Sequence, residues 1–241
     1  MDTLNITLSP RRMAFILGGI SLGLCLISIA GKALEWELGS HSTYFIYQAV
    51  QTFNVNQEAN IPTWYSALLL LACAALFGVV AQSRRQYGER DSRHWWGLAL
   101  IFMYLSLDEV AAIHEELSIP LQESLHLTGF LYFGWILVGA AVVLVVGLIY
   151  GRFILRLPRQ TRRLFILAGV LYVGGALVIE AISANQWYLN DGTSLLFSAT
   201  GTVEELCEML GVVVLIYALL TYIQTQLGNI HLTIQLNTPQ D

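Results

Sequence analysis

Apolar residues of this chain occur in six long blocks separated by polar connections. The blocks cover residues 13–30, 63–81, 95–115, 129–150, 164–183 and 203–223. A helix of about 20 residues crosses about 30 Å of hydrocarbon and satisfies its own backbone polar groups there. The pattern therefore predicts an all-α polytopic membrane protein, a bundle of six transmembrane helices that forms one integral membrane domain over residues 1–241.

The composition agrees with a membrane protein and excludes other classes. Of the 241 residues, 56% are hydrophobic and 12% are charged, and the mean hydropathy is +0.61. This apolar content exceeds what a small soluble core can bury, so a soluble enzyme is excluded. The net charge of −5 provides no basic surface for phosphates, and no nucleic-acid partner is expected. The three cysteines have neither metal-binding nor disulfide spacing.

Basic residues mark one side of the predicted bundle. Eleven of the twelve Lys and Arg residues precede the first span, or join spans two and three, or join spans four and five. Only Lys32 lies on the other side. Because basic residues near span ends stay preferentially in the cytoplasm, both termini are predicted to be cytoplasmic, including the tail over residues 224–241.

The first outward connection, residues 31–62, carries local structural signals. An aromatic segment that begins at Tyr44 predicts an amphipathic helix in the membrane interface. Asn60 is the predicted N-cap of the second span, and Pro62 suits the first helical turn. Trp64 is expected at the level of the lipid headgroups.

Acidic residues collect at the outer side of the predicted bundle. Asp108, Glu109, Glu180 and Glu208 lie inside the spans, too deep to be ordinary loop residues. A carboxylate within a span costs about 2.5–3.5 kcal/mol on insertion scales and is usually paired or functional. At helical periodicity Asp108 and Glu115 share one face of span three with small alanines, and that face should point into the bundle.

Some of the acidic residues also have structural interpretations. Thr202 and Glu205 have the spacing of a capping box, and Glu204 would lie in a first helical turn, where negative charge is favoured. In the structural interpretation of span three, Glu115 lies in water at the end of the span and His114 is an interfacial histidine. These interpretations stay open beside a functional one.

A divalent metal ion is the predicted partner of the deep acids. No Lys or Arg lies in the outer half of any predicted span, so a bound cation is the simplest way to neutralise them. Oxygen ligands with one or two imidazoles favour Mg, Ca, Mn or Fe, and Zn also accepts them. The spacing from Glu109 to His114 matches neither the ExxH nor the HExxH motif. The predicted ligands are Asp108, Glu109, His114, Glu180, Glu205 and Glu208, with His41 or Glu58 completing the set.

Three parts of the chain carry a resemblance to a group of proteins. They are residues 58–66, residues 106–109 with 113–115, and residues 204–205 with 208–209. These segments resemble those of uncharacterised bacterial, often cyanobacterial, multi-span membrane proteins. The resemblance implies an integral protein of a bacterial inner membrane or a thylakoid membrane, and no activity comes with it.

The expected function is that of a membrane-embedded metal-dependent enzyme with its site at the extracytoplasmic side, acting on membrane lipid or a lipid-linked substrate. The candidate catalytic residues are Glu109 and Glu115. The candidate substrate-binding residues are Glu58, Asn60, Trp64 and Ser106. Two alternatives stay open: a protein that binds or transports a cation or a proton, and a non-catalytic subunit of a membrane complex. The inner halves of the spans contain few polar residues, which disfavours a complete channel.

Overall fold

The chain folds into helices joined by short connections. The computed structural model describes residues 9–39, 43–191 and 194–228. Within these ranges the α-helices are α1 Pro10–Leu38, α2 Tyr44–Thr52, α3 Ile61–Gln86, α4 Ser92–Ala111, α5 Ile113–Leu125, α6 Trp135–Arg156, α7 Arg159–Val173, α8 Glu180–Asn190 and α9 Leu195–Tyr222. A π-helical segment, Gly174–Ile179, joins α7 to α8.

Five helical stretches are long and apolar enough to cross a membrane. They are α1, α3, α6, the stretch Arg159–Asn190, and the stretch Leu195–Leu227 that extends α9. A sixth span results if α4 and α5, which meet at an angle of 74°, are taken as one. The protein is therefore all-helical over its described residues and compatible with a membrane. The count of six spans and the cytoplasmic termini remain predictions.

Helix α9 lies at the centre of the bundle. It packs against α1, α3, α7 and α8, and most of its residues from Met209 to Tyr222 are buried. Large apolar side chains such as Phe15 on α1 and Leu148 on α6 are exposed. Such exposure is expected of helices that contact lipid rather than water.

An aromatic core closes the end of the bundle that carries most of the arginines. Its buried rings belong to Phe77, Trp95, Phe153, Phe165 and Tyr222. Their centroids lie between 5.0 and 6.1 Å apart in the contacting pairs. Aromatic pairs of this kind add about 0.5–1.5 kcal/mol each beyond the burial of their area, so this end is tightly packed.

The third predicted span, residues 95–115, is broken, so the prediction of one continuous helix is wrong. Helix α4 ends before Ala112, whose backbone is left-handed with φ 48° and ψ 39°, and α5 follows directly. The cause is Asp108, whose carboxylate accepts the backbone N–H of His114 at 3.1 Å in place of a helical carbonyl. The shared face predicted for Asp108 and Glu115 therefore does not form.

The last helix begins earlier than the sequence pattern predicts. Ser194 is the N-cap of α9, since its Oγ accepts a hydrogen bond from the N–H of Phe197 at 3.0 Å. Thr202 lies inside the helix, where its hydroxyl donates to the carbonyl of Ser198. The capping box predicted at Thr202 is therefore wrong, and the acidic pair at residues 204–205 lies in the third helical turn rather than the first.

Local features of the first long connection agree with the sequence. Asn60 caps α3, because its side-chain oxygen accepts the N–H of Thr63 at 3.1 Å, and Pro62 lies in the first turn. The aromatic segment Tyr44–Thr52 is helical. Its place in a membrane interface remains a prediction.

Two glycines allow close contact between α9 and the stretch Arg159–Asn190. A Cβ on Gly211 would lie 2.7 Å from the backbone nitrogen of Tyr172, and a Cβ on Gly175 would lie 2.9 Å from the carbonyl oxygen of Glu204. Real Cβ atoms essentially never approach other atoms this closely, so only glycine permits this packing. The contact holds the acidic segment of α9 against the π-helical segment.

Replacement of Gly211 by alanine is expected to destabilise the fold. The added methyl group meets backbone atoms that cannot rotate away, and overpacking of this kind costs about 1–3 kcal/mol. Gly169→Ala is the matched control, since a Cβ there meets nothing within 4 Å and alanine favours a helix. Thermal unfolding of both variants in neutral detergent, followed by tryptophan fluorescence, compares them with the wild type. Equal unfolding temperatures for the two variants would contradict the packing role of Gly211.

Candidate functional site

A cavity of about 590 Å³ lies between α4, α5, α6, α8 and α9, at the end of the bundle opposite the aromatic core. Its wall carries eight carboxylates and one imidazole, and no Lys or Arg of the described ranges lines it. The acidic residues are Glu58, Asp108, Glu109, Glu115, Glu180, Glu204, Glu205 and Glu208, and the imidazole is His114. Helices that are distant in sequence thus bring their acidic residues to one cavity.

His114 is held in one orientation by Asp108. The imidazole Nδ1 lies 2.9 Å from one carboxylate oxygen of Asp108, and the other oxygen accepts the backbone N–H of His114. The ring of Trp135 packs against the imidazole with centroids 4.8 Å apart. Because Nδ1 faces the carboxylate, Nε2 is the nitrogen left for a metal ion. The sequence predicts Asp108 as a metal ligand, whereas both of its oxygens here orient His114.

Three side chains on the cavity wall meet at distances that suit one metal ion. One ligand atom each from Glu58, His114 and Glu115 lies within 4.8 Å of the other two. Glu58 belongs to the connection before α3, and the other two residues belong to the first turn of α5. The sharp bend between α4 and α5 therefore decides where His114 and Glu115 lie.

One oxygen of the Glu58 carboxylate, Oε2, is buried without a hydrogen-bond partner among the described residues. The pKa of Glu58 is raised to about 7, mainly by burial and secondly by the negative charge of Glu115, whereas His114 lowers it. An unpartnered oxygen beside an imidazole and a second carboxylate suits a bound cation.

Glu180 and Glu204 are neighbouring acids that polar side chains hold in place. The indole Nε1 of Trp135 donates to Oε1 of Glu180 at 2.7 Å, and the hydroxyl of Ser183 donates to Oε2 of Glu204 at 3.0 Å. Trp135 therefore lies between His114, which its ring contacts, and Glu180. The second oxygen of each glutamate accepts no hydrogen bond from the described residues and can accept one from a ligand.

Glu109, Glu205 and Glu208 also line the cavity, and no hydrogen bond joins their carboxylates to other described residues. They lie outside the compact group of ligand atoms that the described part of the chain contains. Their role as metal ligands, and that of Glu180, therefore remains a prediction.

Three of the four predicted substrate-binding residues lie away from the cavity wall. Asn60 donates its amide hydrogens to backbone carbonyls of the preceding connection. Ser106 donates to a backbone carbonyl of α3 at 2.8 Å, and Trp64 exposes 67% of its surface. Their positions do not support substrate binding, whereas Glu58 lines the cavity. His41, a further predicted ligand, lies outside the described residues.

Glu204 is a cavity residue that the sequence pattern alone assigns to the first turn of a helix. Along α9, the residues Phe197, Gly201, Glu204 and Glu208 all line the cavity. Their spacing of four, three and four residues follows one helix face. This face could have been predicted if the helix had been known to begin at Leu195. The N-cap at Ser194 is therefore the signal that would have identified Glu204 as a cavity residue.

Comparison with known proteins identifies the family. Residues 19–223 match the family described as Domain of unknown function (DUF8692), and the chain belongs to that family. The matched range includes every residue that lines the cavity. No curated protein and no solved structure matches the chain. Membership in an uncharacterised family agrees with the resemblance found in the sequence, and a bacterial source remains a prediction.

Asp108→Ala is expected to loosen the start of α5. The variant removes the acceptor of the His114 N–H, and loss of a capping side chain costs about 0.5–2 kcal/mol. Amide hydrogen exchange over Ile113–Leu125, measured by mass spectrometry in neutral detergent, should become faster than in the wild type. Glu116→Ala is the matched control, because Glu116 is an exposed acid of the same turn outside the cavity. Unchanged exchange in Asp108→Ala would show that Asp108 does not cap the helix.

The raised pKa of Glu58 predicts a pH-dependent stability of the metal-free protein. The unfolded chain releases this proton near pH 4.5, whereas the folded chain retains it up to about pH 7. The contribution of Glu58 to stability is therefore full at low pH and is lost as the pH rises from about 4.5 to about 7. Glu58→Gln should remove this dependence. Unfolding midpoints of both proteins, measured across this range with a chelator, should diverge, and parallel curves would refute the prediction.

Proposed function

We propose that the protein is a membrane-embedded metal-dependent enzyme that acts on a lipid or lipid-linked substrate. One observation carries the proposal: Glu58, His114 and Glu115 offer ligand atoms within 4.8 Å of one another on a cavity wall. The contact between His114 and Asp108 supports it, because metal-binding histidines usually direct their second ring nitrogen to a carboxylate or carbonyl.

The ligand set favours a transition metal over magnesium or calcium. Two carboxylates and one imidazole suit Mn, Fe or Zn, whereas Mg and Ca bind mainly oxygen ligands. Three protein ligands leave coordination positions for water or substrate, as in catalytic rather than structural sites. A divalent cation bound there would supply a Lewis acid that polarises a substrate bond and eases the deprotonation of water.

Glu109 is the carboxylate best placed to accept a proton in such a reaction. It lines the cavity close to Glu58, Asp108, His114 and Glu115, and no described residue hydrogen-bonds its side chain. A carboxylate that is free of a metal and of hydrogen bonds can take up a proton from a nucleophile. In this proposal Glu115 is a ligand rather than a second base, since its oxygen belongs to the compact ligand group.

The distribution of arginines supports a cavity on the extracytoplasmic side. Arg84 and Arg85 lie at the end of α3, and Arg156 lies at the end of α6, whereas the cavity is at the opposite ends of these helices. The preference of basic residues for the cytoplasm then favours a position of the cavity at the outer face. With the resemblance to bacterial proteins, the proposed location is a bacterial inner membrane or a thylakoid membrane.

Transport of a cation through the protein is less well supported. Phe77, Trp95 and Tyr222 are almost completely buried at the end of the bundle opposite the cavity, and none of them lines it. The polar groups of the described residues at that end, such as Arg84 and Asp91, which form an ion pair, do not line the cavity. A cavity closed on its inner side suits a reaction, or the binding of an ion from outside.

Elemental analysis of the purified protein tests the metal site. The wild type should carry about one divalent transition-metal ion per chain, and His114→Ala and Glu115→Gln should carry much less, because each loses a ligand. Glu116→Gln is the matched control, since it changes the neighbouring acid outside the cavity and should retain the metal. Equal metal content in Glu115→Gln and Glu116→Gln would contradict the proposed site.

The same preparations in liposomes separate an enzyme from an ion carrier. Mass spectrometry of the lipids should detect a product with the wild type and none with His114→Ala. Ion flux without any lipid product would contradict the enzyme and favour transport.

A further inference from the structure

The acids of the cavity exceed what one divalent cation neutralises. Eight carboxylates line the wall, and the described residues contribute no Lys or Arg to it. A metal ion at Glu58, His114 and Glu115 leaves one oxygen each of Glu180 and Glu204 without a hydrogen-bond partner among the described residues. These two glutamates lie outside the compact ligand group, so they can bind a second cationic group.

Aromatic rings line the same cavity as these two glutamates. The aromatic mouth consists of Tyr132, Phe133, Trp187 and Phe197. The ring centroids of Phe133 and Trp187 lie 6.3 Å apart, and those of Trp187 and Phe197 lie 5.2 Å apart. Trp187 follows Glu180 by seven residues, or about two turns, so both lie on one face of α8. Aromatic rings and carboxylates therefore share one wall of the cavity.

The cavity also reaches the apolar outer surface of the bundle. Ile119 on α5 and Val142 on α6 line the cavity and expose 65% and 54% of their surface. Along α6 the lining residues run from Trp135 through Gly139 to Val143, which is one helix face. A molecule with a polar group beside Trp135 can therefore extend an apolar chain along α6 into the hydrocarbon.

Polar atoms without partners indicate that a ligand belongs in this cavity. Glu205 and Glu208 line the cavity and form no hydrogen bond with other described residues. Oδ1 of Asn56 is inaccessible and unpartnered within the described ranges, and Asn56 lines the same wall. Buried polar groups are nearly always hydrogen-bonded in native proteins, so the inaccessible, unpartnered oxygens of Asn56 and Glu58 at one cavity point to missing partners.

We infer that the cavity binds an amphiphile with an ammonium headgroup, held by Glu180, Glu204 and the aromatic mouth, with its apolar chain along α6. As a statement about the substrate, this inference rests on the proposed function. Ammonium groups are attracted to aromatic faces within about 6 Å and to carboxylates. A purely anionic headgroup finds no basic side chain on the cavity wall that the structure describes.

Binding of tritiated dodecyltrimethylammonium to protein purified in a neutral maltoside detergent tests the inference. The wild type should show saturable binding that unlabelled dodecyltrimethylammonium displaces and that dodecyl sulfate at the same concentration does not. Trp187→Ala should weaken binding about tenfold, because it removes an aromatic face of the mouth. Glu180→Gln should weaken binding by a similar factor, because it removes a negative charge from the headgroup site.

Two matched variants separate the headgroup site from general damage to the fold. Trp36→Ala removes an exposed tryptophan of α1 that does not line the cavity, so binding should be unchanged. Trp187→Phe retains an aromatic face and should bind more tightly than Trp187→Ala. Equal displacement by dodecyl sulfate, or equal affinity of Trp187→Ala and the wild type, would overturn the inference.

His114→Ala separates a failure of this inference from a failure of the proposed function. The headgroup site does not include His114, so this variant should lose the metal ion and keep ammonium binding. A wild type that binds the ammonium amphiphile without any metal would refute the enzyme and leave the headgroup site intact. A wild type that holds the metal but shows no displaceable ammonium binding would overturn the headgroup site alone.

Discussion

Neutralisation of clustered carboxylates is the constraint on which the other features of this structure depend. Eight acidic side chains line one cavity of an apolar bundle, and its described residues contribute no basic side chain to the wall. An ionised carboxylate in such surroundings is costly unless it is protonated, hydrogen-bonded or paired. Asp108 with His114 and Glu180 with Trp135 satisfy part of this demand. The remaining carboxylates require protons or cations from outside the protein. The proposed metal ion and the proposed ammonium amphiphile both follow from this excess of negative charge.

The interaction between Asp108 and His114 connects the fold to the site. It ends α4, allows the left-handed backbone at Ala112 and starts α5 in a new direction. A left-handed alanine costs about 1–2 kcal/mol, which the two hydrogen bonds to one carboxylate offset. A continuous helix would instead carry Glu115 along the axis of α4 and away from Glu58. The same carboxylate thus shapes the backbone and orients the imidazole.

The helices are largely predictable from the sequence, whereas the assembly of the site is not. The lengths of the apolar blocks and local caps such as Asn60 depend on residues that are close together in the chain, so both can be recognised in the sequence. The break at Ala112 has no glycine or proline to mark it, because its cause is a side-chain acceptor on the preceding turn. The sequence pattern predicts the start of α9 too late because Thr202 and Glu205 have the spacing of a capping box, whereas Ser194 is the N-cap. The meeting of Glu58 with α5 depends on that unpredicted bend, so no spacing in the sequence reveals it.

Close helix packing and the acidic cavity arise from the same contacts. Besides Gly175 and Gly211, Gly201 lets α9 approach the connection before α3, since a Cβ there would lie 2.8 Å from Oδ1 of Asn56. These contacts hold the acids of α9 beside Glu58 and α8 rather than apart in lipid. Packing of the bundle thus increases the repulsion among the carboxylates that it brings together. A cation that relieves this repulsion binds the folded state alone, so it stabilises the bundle by the free energy of its own binding.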